Sequence, residues 1–253
     1  MTEHLSAIVT GGAQRLGRSI AMALAAAGHP VAIHCRGSRN AAEATAADIR
    51  TAGGRAAVIT ADLAQEAETA ALIAEATAAV GPIGILVNNA SVFERDEWDS
   101  ADRASWDAHI EPNLRAPFVL SQAFARALPP NAEGLIVNML DERVWSLTPH
   151  FVSYSVSKAG LWALTQSLAL ALAPRIRVNA IGPGPALPSP RQTAEQFARQ
   201  CASTPLGRGT SPTEIAQAVL AILALRSMTG QMIALDGGQH LQWSPARDGG
   251  PVE

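Results

Sequence analysis

The chain has 253 residues, 48% of them hydrophobic and 16% charged, with a formal net charge of −3. That composition predicts a single large α/β domain over residues 1–243, and the nearly balanced charge gives no electrostatic footprint for nucleic acid or a membrane surface. The two cysteines, Cys35 and Cys201, stand alone and the six histidines are scattered, so neither a disulfide framework nor a metal site is expected. A reducing, cytoplasmic setting is. The first residues lack a basic segment followed by an apolar one, and the most apolar later run, 161–173, is broken by Thr165, Gln166 and Ser167. Neither a signal peptide nor a membrane span is expected.

Short β-rich runs alternate with Ala/Leu helical patterns. Strands are predicted over 5–10, 31–35, 56–60, 83–88, 134–139, 175–181 and 231–235. This alternation predicts a Rossmann-type, doubly wound parallel sheet of seven strands with helices on both faces, its ligands held beyond the carboxyl ends of the strands. The first strand runs into T-G-G-A-Q-R-L-G, residues 10–17, ahead of a helix over 16–27. Gly11, Gly12 and Gly17 allow a tight turn against a pyrophosphate resting on the helix N-terminus. Arg15 departs from that scheme, because a cation at a helix N-terminus is disfavoured unless an anion offsets it. It is expected to face a phosphate or a polar substrate edge, a solvent-facing arginine being the alternative.

Beyond the second strand, where NAD-binding chains place a carboxylate for the ribose 2′-hydroxyl, stands C-R-G-S-R, residues 35–39, with no acid before Glu43. Arg36, Ser38 and Arg39 suit a 2′-phosphate, which implies NADP(H). Further on, S-Y-S-V-S-K-A-G, residues 153–160, holds the single tyrosine and the single lysine of the chain. A spacing of four puts Tyr154 and Lys158 on one face of a helix, and an ammonium beside a phenol favours its ionised form, the outline of a proton donor. After the sixth strand the pattern breaks into G-P-G-P-A-L-P-S-P with a short helical run; 183–212 reads as a substrate lid or a long connection. Residues 244–253 are polar and rich in Gly and Pro, and a loosely ordered tail is expected there.

Taken together, T-G-x-x-x-x-x-G at 10–17, N-N-A at 88–90 and Y-x-x-x-K at 154–158 resemble the short-chain dehydrogenase/reductase family. The resemblance runs from Ser6 to about Trp243 and includes A-D-L at 61–63, N-L-R-A-P-F at 113–118 in a long central helix, and R-V-N-A-I-G-P-G at 177–184. It implies a tetramer-prone enzyme. Asp62 and Leu63 would lie near adenine, and Asn89 and Ala90 would line the cofactor cleft with Gly11, Leu16, Gly17, Pro183 and Gly184. Lys158 would bond the nicotinamide ribose, and Asn113 would sit on the proton path. Most members carry glycine at the position of Arg15.

The family's catalytic serine, thirteen residues before the tyrosine, is here Asp141. A serine donates to a carbonyl oxygen becoming an alkoxide, whereas an ionised aspartate repels that charge. A carboxyl group suits instead a substrate with ring nitrogens and amino donors. The same departure marks the pteridine reductase and dihydromonapterin reductase branch, which the chain also resembles in A-Q-R-L-G at 13–17, H-C-R-G-S at 34–38 and N-A-S-V-F at 89–93. That likeness implies Phe93 stacked on a pterin face opposite the nicotinamide, with Ser91 and Arg15 at the pterin's polar edge. Hydride transfer to a pterin C=N bond follows, with Tyr154 as acid aided by Asp141. A generic carbonyl reductase and a non-catalytic NADP(H)-binding regulator are the alternatives.

Overall fold

The computed structural model describes residues 5–189 and 191–242; the tail predicted over 244–253 lies outside the described residues. Seven strands, β1 (Ser6–Val9), β2 (Val31–Cys35), β3 (Ala56–Thr60), β4 (Ile83–Asn88), β5 (Gly134–Met139), β6 (Ile176–Pro183) and β7 (Met232–Leu235), form one sheet. Its order is β3-β2-β1-β4-β5-β6-β7 and every neighbouring pair is parallel. The middle strands β1, β4 and β5 are buried along their whole length, as an apolar strand covered on both faces must be. Four strands fall where the sequence predicts them. β6 runs two residues further, because Gly182 and Pro183 still pair with Ala234 and Leu235 of β7.

Helices α1 (Arg15–Ala26), α2 (Arg39–Thr51) and α8 (Pro212–Ala224) pack one face, where Ile20, Leu24, Ile33, Ile49, Val137 and Ile222 meet. On the other face, α3 (Glu66–Val80), α5 (Ala116–Ala127) and α6 (Val152–Leu172) bury Leu72, Leu86, Leu120, Phe124, Ile136 and Val178. The long central helix expected around Asn113 is in fact α4 (Arg103–Ile110), a π-helical turn Glu111–Arg115, and then α5. Pro117 explains the interruption: it has no N–H for the Asn113 carbonyl, its α-helical partner four residues back, and the Ala116 amide reaches instead to Glu111 O. α7 (Ala194–Ala202) lies between β6 and α8 and is started by a capping box of Thr193 and Gln196.

The chain winds outward from β1 to β3 and then, in the opposite direction, from β4 to β7. A crevice therefore opens where β1 and β4 diverge at their carboxyl ends. The motifs singled out above follow strands at that edge or lie on α6 beside it, except N-L-R-A-P-F at 113–118, which spans the π turn and the start of α5. Among the described residues, no helix is long and apolar enough to cross a membrane.

Candidate active site

The loop after β1 is held from below by the loop after β4. Asn89 Nδ2 donates to Thr10 O at 2.8 Å and Gly11 O at 3.2 Å, while Thr10 Oγ1 accepts from the amides of Asn89 and Ala90. Gly11 has φ +61°, and a side chain at Gly17 would lie 2.1 Å from Gly11 O; these two glycines are what let the turn close against α1. The Gly11 amide donates to His34 Nδ1 at 3.2 Å, so His34 Nε2–H donates to Ala61 O at 3.0 Å. Burial pushes this imidazole below its usual range, against the pull of the Ala61 carbonyl and the Asp62 charge. Its lone pair stays available to the loop.

Arg15 sits where most of the family has glycine and takes a left-handed backbone, φ +52°, which costs an ordinary residue about 1–2 kcal/mol. Its guanidinium reaches the segment after β6, donating from Nη2 to Leu187 O at 3.3 Å and Pro188 O at 3.0 Å. The first of two abutting cavities, about 390 Å³, is lined by Gly11, Arg15, Leu16, Gly17, Arg36, Ser38, Asp62, Leu63, Asn89 and Ala90. Arg39 pairs with Glu43 at 3.6 Å. Arg36 is exposed and lines the cavity.

The second cavity, about 250 Å³, shares Arg15, Leu16, Asn89 and Ser91 with the first and adds Phe93, Asp141, Tyr154, Lys158, Pro183 and Gly184. β5 ends at Met139, and Asp141 two residues later starts a short 3₁₀ turn: its Oδ1 accepts from the Arg143 amide at 3.0 Å. That cap leaves Oδ2 facing α6, where it accepts from the Tyr154 hydroxyl at 2.8 Å. Lys158, one turn further along α6, is 3% exposed and donates from Nζ to Met139 O at 2.8 Å. Burial lowers its pKa to about 8, with the Asp141 charge opposing the shift. Asn113 lines neither cavity. Its side chain bridges the Val92 amide (2.8 Å) and carbonyl (2.9 Å) and donates to Ser157 Oγ at 3.1 Å.

Phe93 forms part of the wall, but one of its faces is taken. It stacks on Phe151 with centroids 4.6 Å apart at 11° and meets the Tyr154 ring edge-on at 4.7 Å. Arg191, in the segment predicted as a lid, donates to Phe93 O at 2.9 Å and Glu94 Oε2 at 2.8 Å with its guanidinium 5.3 Å from the Phe93 centroid. Arg15 and Arg191 thus pin that segment over the pocket from both sides. The sequence reading missed Phe151, Arg143 and Arg191, each of which touches Phe93. No spacing rule links them to Phe93, since Arg143 and Phe151 come from the connection between β5 and α6 and Arg191 from the one between β6 and α7.

A seven-stranded parallel sheet with a glycine turn at its switch point and a tyrosine and lysine one helical turn apart defines a class, and the chain belongs to it: the short chain dehydrogenase family model matches residues 6–198. The chain is similar over 97% of its length to the crystal structure of FolM alternative dihydrofolate reductase 1 from Brucella suis in complex with NADP, with 48% identity, a TM-score of 0.93 and 98% of that chain covered. The corresponding Brucella canis structure, also with NADP, gives the same identity and TM-score, covering 97% of each chain. The 3-oxoacyl-[acyl-carrier-protein] reductase FabG of Staphylococcus aureus is 33% identical, with 93% of this chain and 98% of the relative aligned.

Proposed function

We propose that the chain is an NADP(H)-dependent reductase of pterin C=N bonds. The observation that carries this reading is the hydrogen bond from the Tyr154 hydroxyl to Asp141 Oδ2, 2.8 Å long, on the wall of the second cavity. A carbonyl acceptor becomes an alkoxide, which a carboxylate at that distance from the acid would repel. A ring nitrogen instead becomes an N–H, for which the same carboxylate is an acceptor. The 48% identity to NADP-bound alternative dihydrofolate reductases supports the same choice. The FabG likeness favours carbonyl reduction, and Asp141 is what argues against it. A non-catalytic binder has no use for the buried Tyr154, Lys158 and Asn113 together.

The donor set of the first cavity fits a dinucleotide with a 2′-phosphate. Arg36 makes no side-chain hydrogen bond or ion pair among the described residues, Ser38 lies beside it, and the only nearby acid on α2, Glu43, is paired with Arg39. When bound, the cofactor supplies the hydride that goes to the carbon of the C=N bond. Tyr154 gives the adjacent nitrogen its proton, and Asp141 orients the phenol and then accepts from the new N–H. Lys158 holds a positive charge under the phenol and donates to the cofactor ribose. Asn113 is kept as the residue that fixes Val92, and its carbonyl, lacking an α-helical donor, is the group it offers to a proton path. Ser91, Arg15 and Phe93, which all line the second cavity, receive the heterocycle. The reading includes a single domain over 1–243, a lid over 183–212, and a cytoplasmic homotetramer in which exposed Val156 and Leu170 of α6 are covered.

Arg36→Ala is expected to raise the KM for NADPH by roughly tenfold to a hundredfold, the loss of one charge-assisted hydrogen bond, and to leave that for NADH unchanged. Steady-state kinetics with both cofactors reads this. Reduction of a dihydropterin with NADPH deuterated at the transferable position tests the reaction itself: one deuterium on the carbon of the reduced C=N bond is expected. A reduced product without deuterium contradicts direct hydride transfer.

A further inference from the structure

Asp96, His109 and Ser153 form a second polar cluster next to the cavity but outside it. They are 5%, 1% and 0% exposed, so no substrate reaches the serine, and the acid, imidazole and hydroxyl do not make a nucleophile here. Their hydrogen positions follow from their partners. The Glu94 amide donates to His109 Nε2 at 3.0 Å, which puts the ring proton on Nδ1. Nδ1–H is then shared between Ser153 Oγ at 2.7 Å and Ser105 O at 3.0 Å. The Ser153 hydroxyl directs its one proton to Asp96 Oδ2, whose other oxygen accepts the Ser153 amide at 3.2 Å. The Asp96 carbonyl accepts the Phe151 amide at 2.9 Å.

The donors run from the Glu94 amide in the loop after β4 through His109 of α4 to Ser153 in the first turn of α6, and from there back to Asp96 in the same loop. Two of these residues are next to groups of the site: Glu94 follows Phe93, and Ser153 precedes Tyr154. Between them Phe151 holds a left-handed backbone, φ +57°, a conformation an aromatic residue keeps only when its surroundings impose it. Its ring is 1% exposed and stacks on Phe93, and the His109 ring lies edge-on to Tyr154 at 6.0 Å.

We propose that Asp96, His109 and Ser153 are positioning residues that register the Tyr154 phenol against the Phe93 wall. The proposal rests on Tyr154 being the proton donor, not on the identity of the acceptor. Ser153→Ala removes one hydroxyl. His109→Gln keeps an acceptor for the Glu94 amide while losing the bond to Ser153. In the NADPH-saturated enzyme each variant is expected to lower kcat about tenfold or more, the cost of misplacing a reacting group, with the KM for NADPH unchanged. The double variant should fall no further than the worse single one, because both break the same chain of bonds. Hydrogen exchange at the Phe151 amide, held by the Asp96 that Ser153 anchors, should quicken in both variants, a readout that needs no substrate. Variants that melt earlier yet keep wild-type kcat would reduce the cluster to a purely structural one and overturn the proposal, as would unchanged exchange at that amide. A wild-type enzyme that reduces ketones and no dihydropterin would remove the pterin reading alone, and the same kinetics would then be read on the ketone.

Discussion

Tyr154→Phe is expected to lose three to four orders of magnitude in kcat while binding NADPH as the wild type does. Positioned general acids contribute about 10²–10⁴-fold, roughly 3–5 kcal/mol of barrier at 1.36 kcal/mol per tenfold. Here no second phenol can take over: the chain has one tyrosine, and the family's serine is replaced by Asp141. The ring itself is wedged edge-on against Phe93 and is 5% exposed, so removing one oxygen leaves its packing intact. Lys158 stays bonded to Met139 O, so the cofactor side of the site is preserved. Single-turnover rates together with NADPH fluorescence titration separate the two effects. Full turnover in the variant would remove Tyr154 as the acid.

Asp141→Ser is the more discriminating change. It restores the residue type usual in the family and removes the charge that disfavours an alkoxide. Dihydropterin reduction is expected to drop by about 10²-fold, and reduction of a ketone or 3-oxoacyl ester to rise by a comparable factor, the range measured for a single oxyanion donor. Local structure should survive, because a serine at this position can still cap the 3₁₀ turn through the Arg143 amide that Asp141 Oδ1 now accepts. The buried Lys158 loses its partner charge, and the Asp141 contribution that opposes its lowered pKa goes with it. Less of the ammonium form then survives above neutral pH, so the alkaline limb of the activity profile should move to lower pH.

Much of this arrangement was legible from local signals. Strands β2 to β5 fall at the predicted residues because a buried parallel strand needs an unbroken apolar run and glycine or polar residues at its ends. The tight turn after β1 follows from glycines after such a strand, and the Tyr154 and Lys158 pair from its spacing and singularity. What escaped the reading are interactions set by the third dimension. Phe151 carries no mark of its left-handed backbone, which glycine or asparagine would have signalled. Arg191 reaches Phe93 and Glu94 across nearly a hundred residues of sequence, and Asp96, His109 and Ser153 converge from a loop and two helices. The π turn is an intermediate case: Pro112 and Pro117 are visible in the sequence, but their effect on the Asn113 carbonyl appears only once the helix is built. Phe93 lines the second cavity, and nothing in its sequence context signals that Phe151 already occupies one of its faces.

The central claim is that a carboxylate bonded to the acidic phenol selects a nitrogenous ring over an oxo compound. NADPH oxidation by the wild-type protein, measured as kcat/KM for 7,8-dihydropterins against a panel of ketones and 3-oxoacyl esters, tests it most directly. The arrangement of Asp141 and Tyr154 predicts a dihydropterin advantage of at least about a hundredfold. Equal values, or a preference for the oxo compounds, would contradict it.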